Sequence, residues 1–175
     1  APSGRMPFTV PWSIEDVPPY EDYSMEGRTY RYMEKAPLVP FGFGLSYTQF
    51  EYGDAHVQRK DGQLHVSVEV RNTGKVAAEE VVQLYLASPE AGREHPIWSL
   101  RGFTRVAMEA GMERQVVFEL DREAFMQVNG AGAHYLPGGD YTLYIGGSLP
   151  SARSAVLGAS EPVKLKVDWR EVKKL

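Results

Sequence analysis

Residues 64-LHVSVEVRN-72 alternate without a break, placing Leu64, Val66, Val68 and Val70 on one side of an extended chain and His65, Ser67, Glu69 and Arg71 on the other. A period of two sustained over this length is incompatible with a helix, and it fixes a strand with an apolar inner face and a wetted outer face. The pattern recurs. In 80-EVVQLYLAS-88, Val82, Leu84 and Leu86 share one face and Val81, Gln83 and Tyr85 the other, a composition that suits a strand partly covered on both sides. Further on, 113-ERQVVFEL-120 alternates through Val116, Phe118 and Leu120, 141-YTLYIGG-147 through Tyr141, Leu143 and Ile145, and 163-VKLKVDW-169 through Val163, Leu165 and Val167.

With 45-LSYTQFEY-52 and 100-LRGFTRVAM-108 the total is about seven strands. They are separated by turn sequences, 60-KDG-62, 72-NTGK-75, 110-AGME-113 and 137-PGGD-140, each carrying a glycine for a positive backbone dihedral. Short strands at this spacing predict an all-β fold, a two-sheet sandwich of the fibronectin type III or immunoglobulin kind. Helix has little room; 121-DREAFMQV-128 predicts a single turn with Asp121 as its N-cap.

Composition changes near residue 44. Residues 1–44 hold 7 of the 12 prolines and 8 of the 20 aromatic residues, with no sustained period, so this leader cannot build a core of its own. It is also too rich in rings (Trp12, Tyr20, Tyr23, Tyr30, Tyr32) for a solvated linker and is expected to lie against a protein surface. The stretch 37-PLVPFGFGLSYTQFEY-52 carries five rings in a segment broken by proline and glycine. Its 42-GFG-44 string lacks the strand-to-helix context of a phosphate loop and reads as backbone turning tightly between aromatic side chains.

Little in the chain supports chemistry of its own. With 19 Lys and Arg against 23 Asp and Glu, and the signs interleaved, nucleic acid is not an expected partner. No apolar run reaches the roughly 20 residues of a membrane span, and residues 1–10 lack the basic start and apolar middle of a signal peptide. An Ala start suits a chain from which something upstream has been removed. There is no cysteine, which excludes disulfides and a thiol nucleophile. His56, His65, His95 and His134 are scattered without metal-site spacing, so no metal or cofactor is expected. The carboxylates of 15-EDVPPYED-22 sit on a proline-broken segment with no scaffold to hold the fixed separation that glycoside hydrolysis needs. Trp98, just before a strand, is either a core or interface ring or an exposed platform on which a sugar stacks.

Set side by side, 2-PSGRMPFTVP-11, 27-GRTYRYM-33, 37-PLVPFGFGLSYTQFEY-52, 68-VEVRNTGKVAAEEVVQLYLASP-89, 96-PIWSLRGFTRV-106 and 136-LPGGDYTLYIGG-147 resemble, in order, the C-terminal end of glycoside hydrolase family 3, the β-glucosidase and β-xylosidase group. The departures are local: Ala77–Ala78 stand where a glycine is usual, Trp98–Ser99 where a charged pair is common, and residues 147–160 are stretched. The resemblance implies that residues 1–19 finish an α/β sandwich domain, that 20–44 are an extended linker packing on a neighbouring domain, and that 45–175 are a fibronectin type III-like domain. It brings no catalytic residue, because the family's nucleophilic aspartate and acid/base glutamate lie in an upstream barrel and α/β sandwich domain whose motifs are absent here. It implies instead an accessory portion of a retaining β-glycosidase acting on terminal β-linked glucose or xylose, with the barrel and α/β domains as partners in cis or on a separate chain. Arg28, Tyr30, Arg31 and Tyr32 become candidates for the active-site rim, with a distal unit of an oligosaccharide as a further partner. Phe41, Phe43 and Trp98 become candidates for a domain interface. The alternatives are a stand-alone module that binds carbohydrate through Trp98 and the leader's tyrosines, and one that contacts protein through its sheet edges.

Overall fold

The computed structural model describes residues 1–92 and 95–175. Strands β1 (Phe50–Lys60), β2 (Gln63–Asn72) and β5 (Glu113–Leu120) form one antiparallel sheet in the order β1-β2-β5. Strands β3 (Ala78–Ala87), β4 (Ser99–Met108), β8 (Tyr141–Gly146) and β9 (Val163–Val167) form the other, in the order β4-β3-β8-β9. A two-stranded ribbon, β6 (Gln127–Val128) with β7 (His134–Tyr135), stands apart. The seven long strands are those expected from the alternation, and they make the all-β sandwich.

The core lies where the period-two positions meet. Leu64, Val66, Val68 and Val70 of β2, with Val116, Phe118 and Leu120 of β5, face Val82, Leu84 and Leu86 of β3 and Tyr141, Leu143 and Ile145 of β8, all buried. Between β1 and β2, Lys60 pairs with Gln63 across a two-residue loop in which Asp61 and Gly62 both have positive φ, 51° and 77°. That is the geometry which matches the twist of the flanking strands. The expected turn after β5 is present as the 3-10 segment Arg122–Phe125, whose N-cap Asp121 accepts from the Ala124 amide.

The first strand, the last strand and the 147–160 loop differ most from the sequence expectation. The first strand begins at Phe50 rather than residue 45 and runs on to Lys60, because a bulge between Tyr52 and Ala55 shifts the register. The inward positions are therefore Tyr52, Ala55 and Val57, paired with Val70, Val68 and Val66, a spacing of three and then two that hides the alternation. The last strand stops at Val167 rather than Trp169, since Asp168 caps α3 (Trp169–Lys173) by accepting from the Arg170 amide, and Val172 of that turn is fully buried. A further helical turn, α2 (Ala152–Val156), is capped by Ser151 within the stretched 147–160 loop.

The NTG turn has a specific physical reason. Asn72 is fully buried, and its amide nitrogen donates to the carbonyls of Val76 (2.9 Å) and Met108 (3.2 Å), while its oxygen accepts from the Thr48 hydroxyl (2.6 Å) and the Gly74 amide (3.1 Å). One side chain thus ties both sheets to the segment entering β1. Asn72→Ala strands the buried Met108 carbonyl and leaves the Val76 carbonyl and the Thr48 hydroxyl without their partner, so it is expected to lower the unfolding free energy by about 2 kcal/mol or more in urea titration. By contrast Leu45→Ala, at a side chain 71% exposed, should stay within about 0.5 kcal/mol of wild type.

Candidate functional site

The outer face of β3 carries Val81, Gln83 and Tyr85, and all three are buried. What covers them is the leader. The Phe41 ring stacks on Tyr30 at 4.2 Å between centroids, and the Tyr85 ring meets both edge-on at 6.5 and 6.1 Å. Such geometries contribute about 0.5–1.5 kcal/mol per pair beyond the area they bury. Beneath the rings, the Gln83 amide nitrogen donates to the carbonyls of Gly42 (3.0 Å) and Gly147 (2.9 Å), and its oxygen accepts from the Tyr85 hydroxyl (2.5 Å). The amide therefore leaves no buried donor unpaired. Burial pushes the Tyr85 hydroxyl well above the ordinary tyrosine range, so it stays a donor.

Gly42 explains why this segment is built on glycine. Its φ is +73°, and a Cβ there would lie 2.1 Å from Gln83 Oε1 and 2.6 Å from the Tyr85 hydroxyl oxygen. Nothing larger lets the backbone approach the sheet so closely.

Residues 1–11 ride on this docked segment. The Met6 amide donates to Phe43 O (2.9 Å), Gly42 N to Met6 O (2.8 Å), Val10 N to Val39 O (2.9 Å) and Leu38 N to Val10 O (2.9 Å). Arg5 then reaches into the open end of the sandwich, where its Nη2 lies 2.7 Å from Glu80 Oε1, with both side chains largely buried. Burial holds the Glu80 carboxyl above the ordinary carboxylate range even though the Arg5 guanidinium pulls the other way. It also raises the neighbouring Tyr52 hydroxyl far above 10.

The candidate rim residues fall in different places. Arg28 spends its guanidinium on main-chain carbonyls of the leader, those of Pro19, Asp22 and Ser24, and so shapes the loop before α1 (Thr29–Tyr32). Tyr30, besides stacking on Phe41, accepts from the Leu100 amide at 3.1 Å and is part of the weld to the sheet. Arg31 and Tyr32 are half-buried and line a cleft against β4. Phe41 meets Tyr85 of the sandwich edge-on, and Phe43 is buried beside a cleft it lines with Glu80 and Gly147. Trp98 is half-buried outside the core, in the wall of an open cleft of about 470 Å³ shared with Met33, Pro37 and Arg153. No group of three His, Cys, Asp or Glu side chains among the described residues is arranged to hold a metal ion. No helix there is long and apolar enough to cross a membrane. Sequence reasoning did not single out Gln83, Arg5, Glu80 or Arg101, although the double-sided apolar run of 80–88 signalled that something covers Tyr85.

The opposite side of the leader is bare. Phe8, Trp12, Ile14, Val17, Tyr20, Tyr23 and Met25 are exposed, Tyr20 at 87% and Tyr23 at 88%. Beside them a cleft of about 460 Å³ is lined by Phe8, Pro11, Val17, Pro18 and Met33.

A sandwich of this order and register is a fibronectin type III-like domain, and the family of that description matches residues 80–149. A xylan 1,4-beta-xylosidase of Xylanibacter ruminicola is 43% identical over 125 residues, covering 70% of this chain and 14% of that protein. The thermostable beta-glucosidase B of Acetivibrio thermocellus is 36% identical over 188 aligned positions, covering 97% of this chain and 24% of its own length. The solved structure of a β-glucosidase from Erythrobacter marinus superposes with a TM-score of 0.72 at 34% identity, over 95% of this chain and 22% of that one. The chain thus spans about a quarter or less of the relatives it matches. It belongs to glycoside hydrolase family 3, as the C-terminal fibronectin type III-like, accessory part of such enzymes.

Two substitutions test the weld. Gly42→Ala combines an unfavourable positive φ with a clash against Gln83 and Tyr85, and is expected to cost about 2 kcal/mol or more by chemical denaturation. Arg5→Met leaves Glu80 buried without its cation and should cost about 3 kcal/mol near neutral pH. Removing the cation raises the folded-state value of Glu80 further above its unfolded one. The folded state then binds the proton more tightly, so stability is retained below the unfolded value and lost as pH rises through the folded one. The Arg5→Met deficit is therefore expected to shrink as pH falls toward 4.5, the ordinary value; a deficit that grows on acidification would contradict the assignment.

Proposed function

We propose that this chain buttresses the catalytic body of a retaining β-glycosidase, which hydrolyses terminal β-linked glucose or xylose when complete. The single observation that carries this reading is the two-sidedness of the leader: its inner side is welded to the sandwich while its outer side presents a run of uncovered rings. Burying one such ring contributes about 1.5–3 kcal/mol, so a neighbouring domain laid over Phe8, Trp12, Tyr20 and Tyr23 would be held firmly. In this reading residues 1–19 complete an α/β sandwich domain, 20–44 are the linker laid between the two bodies, and 45–175 are the accessory domain. The partners are the barrel and α/β domains of the same enzyme, which supply both catalytic carboxylates. The names of the relatives, β-glucosidase and β-xylosidase, support this substrate class.

The test is comparative. Tyr20→Ser with Tyr23→Ser should leave the 175-residue chain within about 0.5 kcal/mol of wild type, yet destabilise a complete enzyme carrying this portion by about 2–5 kcal/mol, read by thermal and urea unfolding. Equal effects in both contexts contradict the proposal. The chain alone should not turn over a chromogenic β-glucoside or β-xyloside. A second reading, that the portion also shapes the active-site rim, is favoured by Trp98 and Tyr32, which line open clefts at the leader's edge. There Trp98→Ala in the complete enzyme would raise KM for oligosaccharides several-fold while leaving kcat in place.

A further inference from the structure

Between α1 and the start of β4 lies a cleft of about 340 Å³ whose walls carry two arginines, Arg31 and Arg101. Arg101 is the extra residue of a bulge in β4: Leu84 pairs with Gly102 and Tyr85 with Leu100, leaving Arg101 without a partner across the ladder. A bulge re-aims its side chain. Arg31 is fixed from the other side, its carbonyl accepting from the Ile97 amide at 2.7 Å.

Neither guanidinium forms an ion pair or hydrogen bond among the described residues, and the Nε–H of each is buried with no acceptor. Burial first, and the Arg31 charge second, pull the Arg101 guanidinium below its ordinary value. Nearby carboxylates do not relieve this. Glu90 is engaged by the Tyr135 hydroxyl at 2.5 Å and lies 3.9 Å from His95 Nε2, and Asp121 affects Arg101 only weakly. The far wall is polar, with His95 and Gln127 both beside the same Tyr135 hydroxyl.

Two like charges held on fixed backbone, one of them largely buried and the other lying over the Tyr32 ring at 5.6 Å, are unfavourable alone, and become favourable when an acceptor with several oxygens sits between them. We propose that the Arg31–Arg101 cleft is an oxyanion site, taking the carboxylate or phosphate group of a small ligand. Arg31 belongs to the leader, but the lining of this cleft includes none of the leader's exposed rings, Phe8, Trp12, Tyr20 or Tyr23.

Titrating the 175-residue chain with inorganic phosphate and, separately, acetate, at ionic strength held constant with sodium chloride, tests this through the arginine Nε–H resonances. Two resonances should shift and saturate together, and Arg31→Gln and Arg101→Gln should each weaken binding about tenfold or more. Tighter phosphate binding identifies a phosphate ligand, and acetate binding as tightly a carboxylate. Because each substitution removes a charge with no carboxylate partner and a buried Nε–H with no acceptor, the ligand-free variants should keep or raise the Tm. Shifts that do not saturate, or that persist unchanged in both variants, would overturn the proposal.

Discussion

One amide holds the architecture together. Gln83 projects from the outer face of β3, and its hydrogen bonds join the Gly42 carbonyl of the leader, the Gly147 carbonyl after β8 and the Tyr85 hydroxyl. An outer sheet face with Val81 and Tyr85 on it would otherwise meet water. The glycine makes this contact possible, the stacked pair Phe41 and Tyr30 excludes solvent from it, and residues 1–11 are then threaded along 38–43. Remove the amide and the buried Gly42 carbonyl, the half-buried Gly147 carbonyl and the buried Tyr85 hydroxyl lose their partner together.

From this follows the division of the leader into two sides. The inner side answers to the sheet and is satisfied by it. The outer side exposes its largest side chains from Phe8 to Met25; of these Trp12 is held at one edge, its indole N–H donating to the Ala36 carbonyl and its ring lying against the Arg153 guanidinium, while Tyr20 and Tyr23 stand almost fully exposed. An apolar patch of that composition on a chain spanning a quarter or less of its relatives is the physical basis for reading the molecule as one body of a larger enzyme. The charged features fit the same economy of roles: the Arg5–Glu80 pair closes the sandwich end, whereas Arg31 and Arg101 await an acceptor.

The core was legible from residues because alternation is a direct consequence of strand geometry: Leu64 to Val70 and Val116 to Leu120 sit where their period places them. Asp121 was legible as a cap because its chemistry is local. Gly42 and Gly44 were read as points of tight turning, although their close neighbours, Gln83 and the Gly4 carbonyl, are far away in sequence. What escaped had long-range causes. The bulge in β1 erased the phase of its alternation, and that in β4 gave Arg101 a direction no periodicity predicts. Arg5 and Glu80, 75 residues apart, meet only once the leader has docked.

The most direct measurement is hydrogen–deuterium exchange along residues 1–44 in this chain and in a complete family 3 enzyme that contains it. Slow exchange of Val10, Val39, Gly42 and Phe43 in both, with residues 12–25 becoming strongly protected only in the complete enzyme, is the outcome that a two-sided leader requires. Residues 12–25 exchanging alike in both settings, or Gly42 exchanging freely in the isolated chain, would contradict it.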